Sequence, residues 1–218
     1  MLKVWRVQLD DPAHLHPSRL AWLDQEETNR WQRLRKDAHR YAAAHTALRG
    51  ILASELACSP SDIQYQQNPW GKPWLRQGPQ FSLSHSQGYA LIALQPNVPL
   101  GVDIELNSKD CDVSWFSQCW SPAELKRMQQ PLSPEQALRL WVRKEAVLKA
   151  LGRGLSLPMS QVVLPLGQAQ RMRAITACEG QSALWHLYDL DAGQGKLAAV
   201  ASRCRYCSDE LQVLDYLL

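Results

Sequence analysis

At 218 residues, 45% hydrophobic and 21% charged, the chain has the make-up of an ordinary soluble globular protein, with room for one large domain or two small ones. A net charge of +3 excludes a strong polyelectrolyte attraction to nucleic acid and suits an anionic small molecule or an acidic partner. The charged N-terminus "MLKVWRVQLDDP" and the lack of any long apolar run predict neither secretion nor membrane spanning, so a cytoplasmic protein is expected.

In chain order, "LKVWRVQL" (2–9) alternates as a strand does. From Asp24 to Ala57 a helix is predicted, because Leu34, Ala38, Tyr41, Ala42, His45, Leu48, Leu52 and Leu56 recur at three-to-four spacing, with Gly50 as a break or bend. "SPSD" marks a turn and "NPWGKPW" a rigid loop. Two strands follow, "FSLSHS" and "YALIALQ", joined around Gln87 and Gly88. After "GVDIEL" the pattern predicts a Trp-rich helix near 113–129 and a long helix from Pro134 to Leu151, closed by "GRGLSLP". The segments "RMRAITA", "ALWHLYDL", "KLAAVASR" and "LQVLDYL" read as strands of one meander. Six cysteines are scattered; Cys204 and Cys207 form a lone CxxC, and reduced thiols are expected.

The two halves rhyme. Each has an Ala/Leu helix leading to a hairpin, first "FSLSHSQGYALIAL" and then "LWHLYDLDAGQGKLAAVA". An α+β fold is expected, made of two pseudosymmetric α/β halves, 1–100 and 101–218. Each half packs helices on a small, mainly antiparallel sheet, and the two form one body.

The stretch "LGVDIELN" (100–107) carries the first chemistry. Leu100, Val102, Ile104 and Leu106 make an aliphatic face, and Asp103 and Glu105 stand together on the other. Adjacent like charges repel and resist burial unless a cation lies between them. On the second helix Glu145 and Lys149 are four apart and share a face with Trp141. That pair reads either as a surface ion pair or, with Asp103 and Glu105, as part of a three-carboxylate site suited to Mg²⁺ and a substrate phosphate. In "FSLSHS", His85 reads as a hydrogen-bonded core or turn residue or, beside Ser84 and Ser86, as part of a phosphate site. No G-x-S-x-G elbow accompanies it, and no Walker A or G-x-G-x-x-G loop occurs anywhere. Lys72 in "GKP" and the basic run "RWQRLRKDAHR" (30–40) read as solvated charge or as phosphate contacts.

Together "KDAHR" (36–40), "WGKP" (70–73), "FSLSHS" (81–86), "GVDIE" (101–105) and "WVRKEAVLKALGRGL" (141–155) resemble, in order and spacing, the phosphopantetheinyl transferases of the surfactin-synthetase type. The resemblance spans nearly the whole chain. It implies two pseudosymmetric halves and transfer of 4′-phosphopantetheine from coenzyme A, the co-substrate, to a serine of an apo acyl or peptidyl carrier protein, with release of 3′,5′-ADP. By the same resemblance Asp103, Glu105 and Glu145 hold Mg²⁺ (Mn²⁺ being an alternative), Glu145 is the candidate base, and Lys149 meets the pyrophosphate. Arg40 and His85 match residues that hold coenzyme A phosphates, and Trp70, Gly71, Lys72 and Ser84 match the region around the adenine and its ribose. The N-terminal half then serves coenzyme A, and the C-terminal half the metal and the carrier.

Two departures stand out. Trp70 is one, and the other is Gln25 and Thr28 where family members often carry lysines, with Arg30, Arg33 and Arg35 as the compensating charge. Trp115, Phe116 and Trp120 near Lys126 and Arg127 read as core or as a carrier-docking patch. A monomer with no nucleic-acid or membrane partner is expected. The rival readings are a Mg²⁺-dependent phosphohydrolase using water as nucleophile and a carrier-binding module with a decayed site.

Overall fold

Both faces of the first strand are apolar, and that decides the layering. In β1 (Leu2–Gln8), Leu2 and Val4 point one way, into a core shared with the second sheet, and Val7 points the other way, under a helix. The computed structural model describes residues 1–107, 116, 118–128, 130–165, 171–178, 181–206 and 209–218. After β1 come three helices, α1 (Pro17–Leu20), α2 (Gln25–Arg33) and α3 (Ala38–Leu56). The short ladder β2 (Gln66–Gln67) and β3 (Pro73–Trp74) leads to the hairpin β4 (Gln80–Ser86) and β5 (Tyr89–Gln95). The second half opens with β6 (Leu100–Leu106), α4 (Pro122–Arg127) and α5 (Pro134–Leu151). It continues through β7 (Val162–Val163), β8 (Arg171–Cys178), β9 (Gln181–Asp189), β10 (Lys196–Ser202) and β11 (Leu211–Asp215).

The order of the first sheet is β11-β1-β5-β4 and that of the second is β6-β10-β9-β8-β7, with every pairing antiparallel except β1 with β11. The halves share one plan, in which a strand, a helix and a hairpin (β1, α3, β4, β5 and β6, α5, β9, β10) fold so that the hairpin's second strand pairs with the opening strand. The fold is therefore α+β with two similar halves. Three cores hold it: α3 on the first sheet, α5 on the second, and a layer between the sheets made by Leu2, Val4, Leu91 and Ala93 against Leu100, Val102, Ile104, Ala198 and Val200.

The structure corrects three readings of the elements. The single helix over 24–57 is two, because the chain turns at Leu34 and passes through Asp37, whose φ is +55°. That turn lays α2 against α3 and brings Glu27 under His45 and Arg49, at 2.8 and 2.6 Å. Gly50 neither breaks nor bends α3; a side chain there would meet the Tyr216 hydroxyl at 2.7 Å. The last strand leaves the meander and adds to the first sheet beside β1. Of the Trp-rich helix near 113–129, only Pro122–Arg127 is α-helical among the described residues, and Trp115 lies outside them.

The buried Glu27 makes acid stability testable. Burial alone favours its neutral form, but the His45 hydrogen bond and the charges of His45 and Arg49 outweigh this and hold its pKa below 4.5. A carboxylate with a lowered folded-state pKa contributes stability that is present above the unfolded value and lost as pH falls through the folded one. Glu27→Gln is expected to cost about 2 kcal/mol at neutral pH and to flatten the loss of stability below pH 4.5. Urea midpoints between neutrality and strong acid check this, and parallel curves for the two proteins would refute it.

Candidate active site at the seam between the sheets

Strands β4 and β6 are the facing edges of the two sheets, yet no backbone ladder joins them. The hydroxyls of the alternating serines of "FSLSHS" span the seam instead. Ser82 Oγ accepts from the Val102 amide at 3.1 Å, Ser84 donates to Asp103 Oδ1 at 2.8 Å, and Ser86 donates to Glu105 Oε2 at 2.7 Å. Period-two spacing on one strand thus meets period-two carboxylates on the other. Gly101 brings the next element close: a Cβ there would overlap the Ala146 carbonyl and the Ala150 amide, so α5 lies directly on β6. Trp141, Glu145 and Lys149 form the half-buried stripe of α5, and Lys149 Nζ donates to both Asp103 Oδ1 and Ser84 Oγ at 2.7 Å.

The electrostatics are those of crowded carboxylates. Asp103 is 3% exposed, and its Oδ2 is buried without a hydrogen-bond partner. Burial, then the charge of Asp103, pushes Glu145 up to about 7. Burial also raises Glu105, a push that Ser86 opposes and Asp103 reinforces. Lys149 is the cation hydrogen-bonded to this group. Among the described residues, no three His, Cys, Asp or Glu side chains are gathered into a closed metal-binding cluster. The carboxyl groups nevertheless fit a hard divalent cation, because an orphaned buried carboxylate oxygen beside two destabilised carboxyls wants positive charge.

Beside the seam runs a cleft of about 320 Å³ lined by Arg30, His45, Trp70, Gly71, Lys72, Ser82, Lys149 and Gly152 among others. A smaller recess, about 210 Å³, is lined by Lys36, Asp37, Arg40, Tyr41, His85 and again Arg30. The two hollows therefore gather cations from both halves. Arg40 donates to both oxygens of Asp10, at 2.7 and 3.1 Å, and to Asp37 at 3.0 Å. His85 is exposed at the recess; partial desolvation and then the Lys149 charge lower its pKa. The Lys72 ammonium turns inward to the Leu100 carbonyl at 2.9 Å, and burial takes it down to about 8. Trp70 is 48% exposed with the Arg153 guanidinium 4.5 Å over its ring, and Asn68 fixes this loop to the Gly152 carbonyl at 2.7 Å.

Sequence reasoning missed His45 and Tyr41. His45 and Tyr41 were absorbed into the apolar stripe of α3, and only the turn at Asp37 brings His45 to the cleft and Tyr41 to the recess, each with Arg30, whose guanidinium lies 5.5 Å from the Tyr41 ring. Phe116 and Trp120 belong to the α5 core, whereas Leu125, Lys126 and Arg127 are exposed. Cys204 is a half-buried free thiol, and Cys207 lies outside the described residues.

Comparison with known proteins places the chain in a family. Residues 99–201, which carry Asp103, Glu105, Glu145 and Lys149, match the model of the 4′-phosphopantetheinyl transferase superfamily. The 4′-phosphopantetheinyl transferase HetI of Nostoc sp. is 30% identical over 209 residues, 91% of this chain and 86% of that protein. The chain belongs to the 4′-phosphopantetheinyl transferase superfamily. A Synechocystis sp. protein provisionally named 4′-phosphopantetheinyl transferase slr0495 is 33% identical over 74% of this chain and 69% of its own length. The transferase Sfp of Bacillus subtilis is 24% identical over 95% of this chain and 96% of its own. This enzyme has no helix, among the described residues, long and apolar enough to cross a membrane.

Proposed function

We propose that the enzyme transfers 4′-phosphopantetheine from coenzyme A to a serine of an apo acyl or peptidyl carrier protein and releases 3′,5′-ADP. The observation that carries this reading is the seam itself, where Asp103, Glu105 and Glu145 meet Lys149 beside a cleft walled by cations. A coenzyme bearing a pyrophosphate and a further phosphate needs distributed positive charge, and Arg30, Lys36, Arg40 and Lys149 supply it, with the His85 imidazole as a further hydrogen-bonding group. Residues 1–100 are assigned the coenzyme side. Residues 101–218 are assigned the metal and the carrier, with exposed Leu125, Lys126 and Arg127 facing an acidic partner. A cytoplasmic monomer goes with this reading.

Asp103, Glu105 and Glu145 would hold Mg²⁺ or Mn²⁺, which supplies charge neutralisation and orientation at the pyrophosphate. Lys149 stabilises charge on the leaving phosphate. Glu145 takes the proton of the acceptor serine as its Oγ forms the new P–O bond and the bond to 3′,5′-ADP breaks. Trp70 offers its exposed ring to the adenine, beside Gly71 and the stem of Lys72. Ser84 donates to Asp103 and accepts from Lys149, which fixes the geometry of their direct ion pair.

The test is mass spectrometry of apo acyl and peptidyl carriers incubated with the enzyme, coenzyme A and Mg²⁺. One phosphopantetheine gained on one serine supports the transfer. Consumption of coenzyme A without any gain on a panel of carriers would replace it with a hydrolase.

The serine bridges predict a finer effect. Ser86→Ala removes the hydrogen bond to Glu105 without opening a core, and is expected to lower kcat/KM by about tenfold, the weight of one hydrogen bond to a charged group. Ser86→Thr should restore it. Mn²⁺ affinity measured alongside should fall for Ala and recover for Thr; equal affinity in all three would refute a positioning role.

A further inference from the structure

A second basic hollow lies on the far side of the second sheet. Arg171 and Arg173 of β8 alternate with Met172 and Ala174, which pack on the α5 core, so the two arginines project from the opposite face. Across the ladder Arg171 faces Tyr188 and Arg173 faces His186, while Leu187 between them turns to the α5 core. With Arg205 and Tyr206 from the turn after β10 they line a groove of about 170 Å³. No carboxylate lines it, and none of the three arginines forms an ion pair among the described residues. Cations placed together without counter-charge cost stability unless something else supplies it.

A buried donor points into the same need. Tyr188 is 6% exposed; its hydroxyl accepts from the Tyr206 amide at 2.6 Å, and its own proton has no acceptor among the described residues. The surrounding protein and then Arg173 and Arg205 lower the pKa of His186, which keeps the imidazole uncharged and able to hydrogen-bond. The groove thus offers fork-shaped donors, an imidazole and a hydroxyl around a space for a few heavy atoms.

We propose that Arg171, Arg173, Arg205, His186 and Tyr188 form a binding site for a small phosphoryl anion of charge two or more, such as inorganic diphosphate, separate from the seam. Three guanidiniums call for more charge than one carboxylate brings, and their planar forks match phosphate oxygens. The site lies three strands away from β6 and on the face opposite α5.

The experiment is a titration of the full-length enzyme with inorganic diphosphate, followed by NMR of the arginine side-chain and β8–β9 backbone N–H groups. Saturable shifts at Arg171, Arg173 and Arg205 are expected. They should persist in Lys149→Ala, and in the folded double variant Arg173→Gln with Arg205→Gln the affinity should drop roughly tenfold or more. Equal shifts from sodium chloride at matched ionic strength, or shifts confined to the seam, would overturn the site. Exposed Ile175 and Leu184 lie further along the same face. Tighter binding there by a Glu-rich amphipathic peptide that displaces diphosphate would overturn the small-anion assignment in favour of an acidic protein surface.

Discussion

Replacing Asp103 with asparagine lowers the rate of phosphopantetheine transfer by roughly 10²–10³-fold, the scale of losing one preorganised electrostatic group at a reacting centre. Asparagine is chosen because it keeps the shape of a side chain that is almost wholly buried and can still accept from Ser84. What it removes is the charge, and with it the counter-ion of Lys149 and the orphaned oxygen that would meet a cation. Two further readouts separate this from a folding defect. Urea unfolding should change little, because the seam serines and Lys149 remain paired, and Mn²⁺ affinity should fall with the rate. Lifting the Asp103 charge also lets Glu145 and Glu105 ionise more readily, since that charge raises both. A variant within about threefold of the wild-type kcat/KM would remove Asp103 from the reaction and with it the metal reading of the seam.

How far the site was legible follows from what local pattern can encode. Alternation over 100–107 put Asp103 and Glu105 on one face, and helical spacing put Glu145 beside Lys149; both placements agree with the structure because each is set within one element. Alternation likewise separated Ser82, Ser84 and Ser86 from Phe81. That these serines meet the carboxylates depends on the pairing of two sheet edges far apart in sequence, for which no local signal exists. The same limit explains β11, whose apolar alternation fits a meander as well as a parallel neighbour of β1. The break at Asp37 escaped because nothing around it breaks helical periodicity, and an aspartate at positive φ is an ordinary helix residue on paper. Arg40 shows the reverse case: a residue placed by resemblance at a phosphate is engaged with Asp10 and Asp37, so a phosphate ligand has to compete with two carboxylates. Lys144 was invisible for another reason. It sits beside Glu145 in a helix rich in charge, where a lysine is nearly always solvated, yet it is fully buried.

That burial gives the largest expected effect on stability. Lys144 Nζ donates to Glu124 Oε2 at 2.6 Å, to the Cys119 carbonyl at 2.7 Å and to the Met159 carbonyl at 3.2 Å. Glu124 in turn accepts from the amides of Ser121, at 2.7 Å, and Leu164, at 2.9 Å. One ion pair, fully buried on both sides, therefore ties α4, α5 and the segments around Cys119, Met159 and Leu164 into one unit. Burial lowers the lysine pKa, while Glu124 opposes that shift and favours the charged form. Lys144→Met keeps the volume and deletes the charge, which leaves Glu124 buried with only amide partners. The expected cost is about 3–5 kcal/mol, seen as a lower urea midpoint at an unchanged m-value and a fall in Tm of roughly 10 °C. Adding Glu124→Gln should recover part of the loss, because the remaining group is then neutral and its carbonyl oxygen can still accept from one of the two amides. A single variant as stable as the wild type would mean that water reaches Glu124. A double variant no better than the single would mean that the lost lysine contacts, and not the stranded charge, set the cost. Since α5 also carries Glu145 and Lys149, the single variant should lose transfer activity with its fold on heating, at a lower temperature than the wild type and not at a different pH.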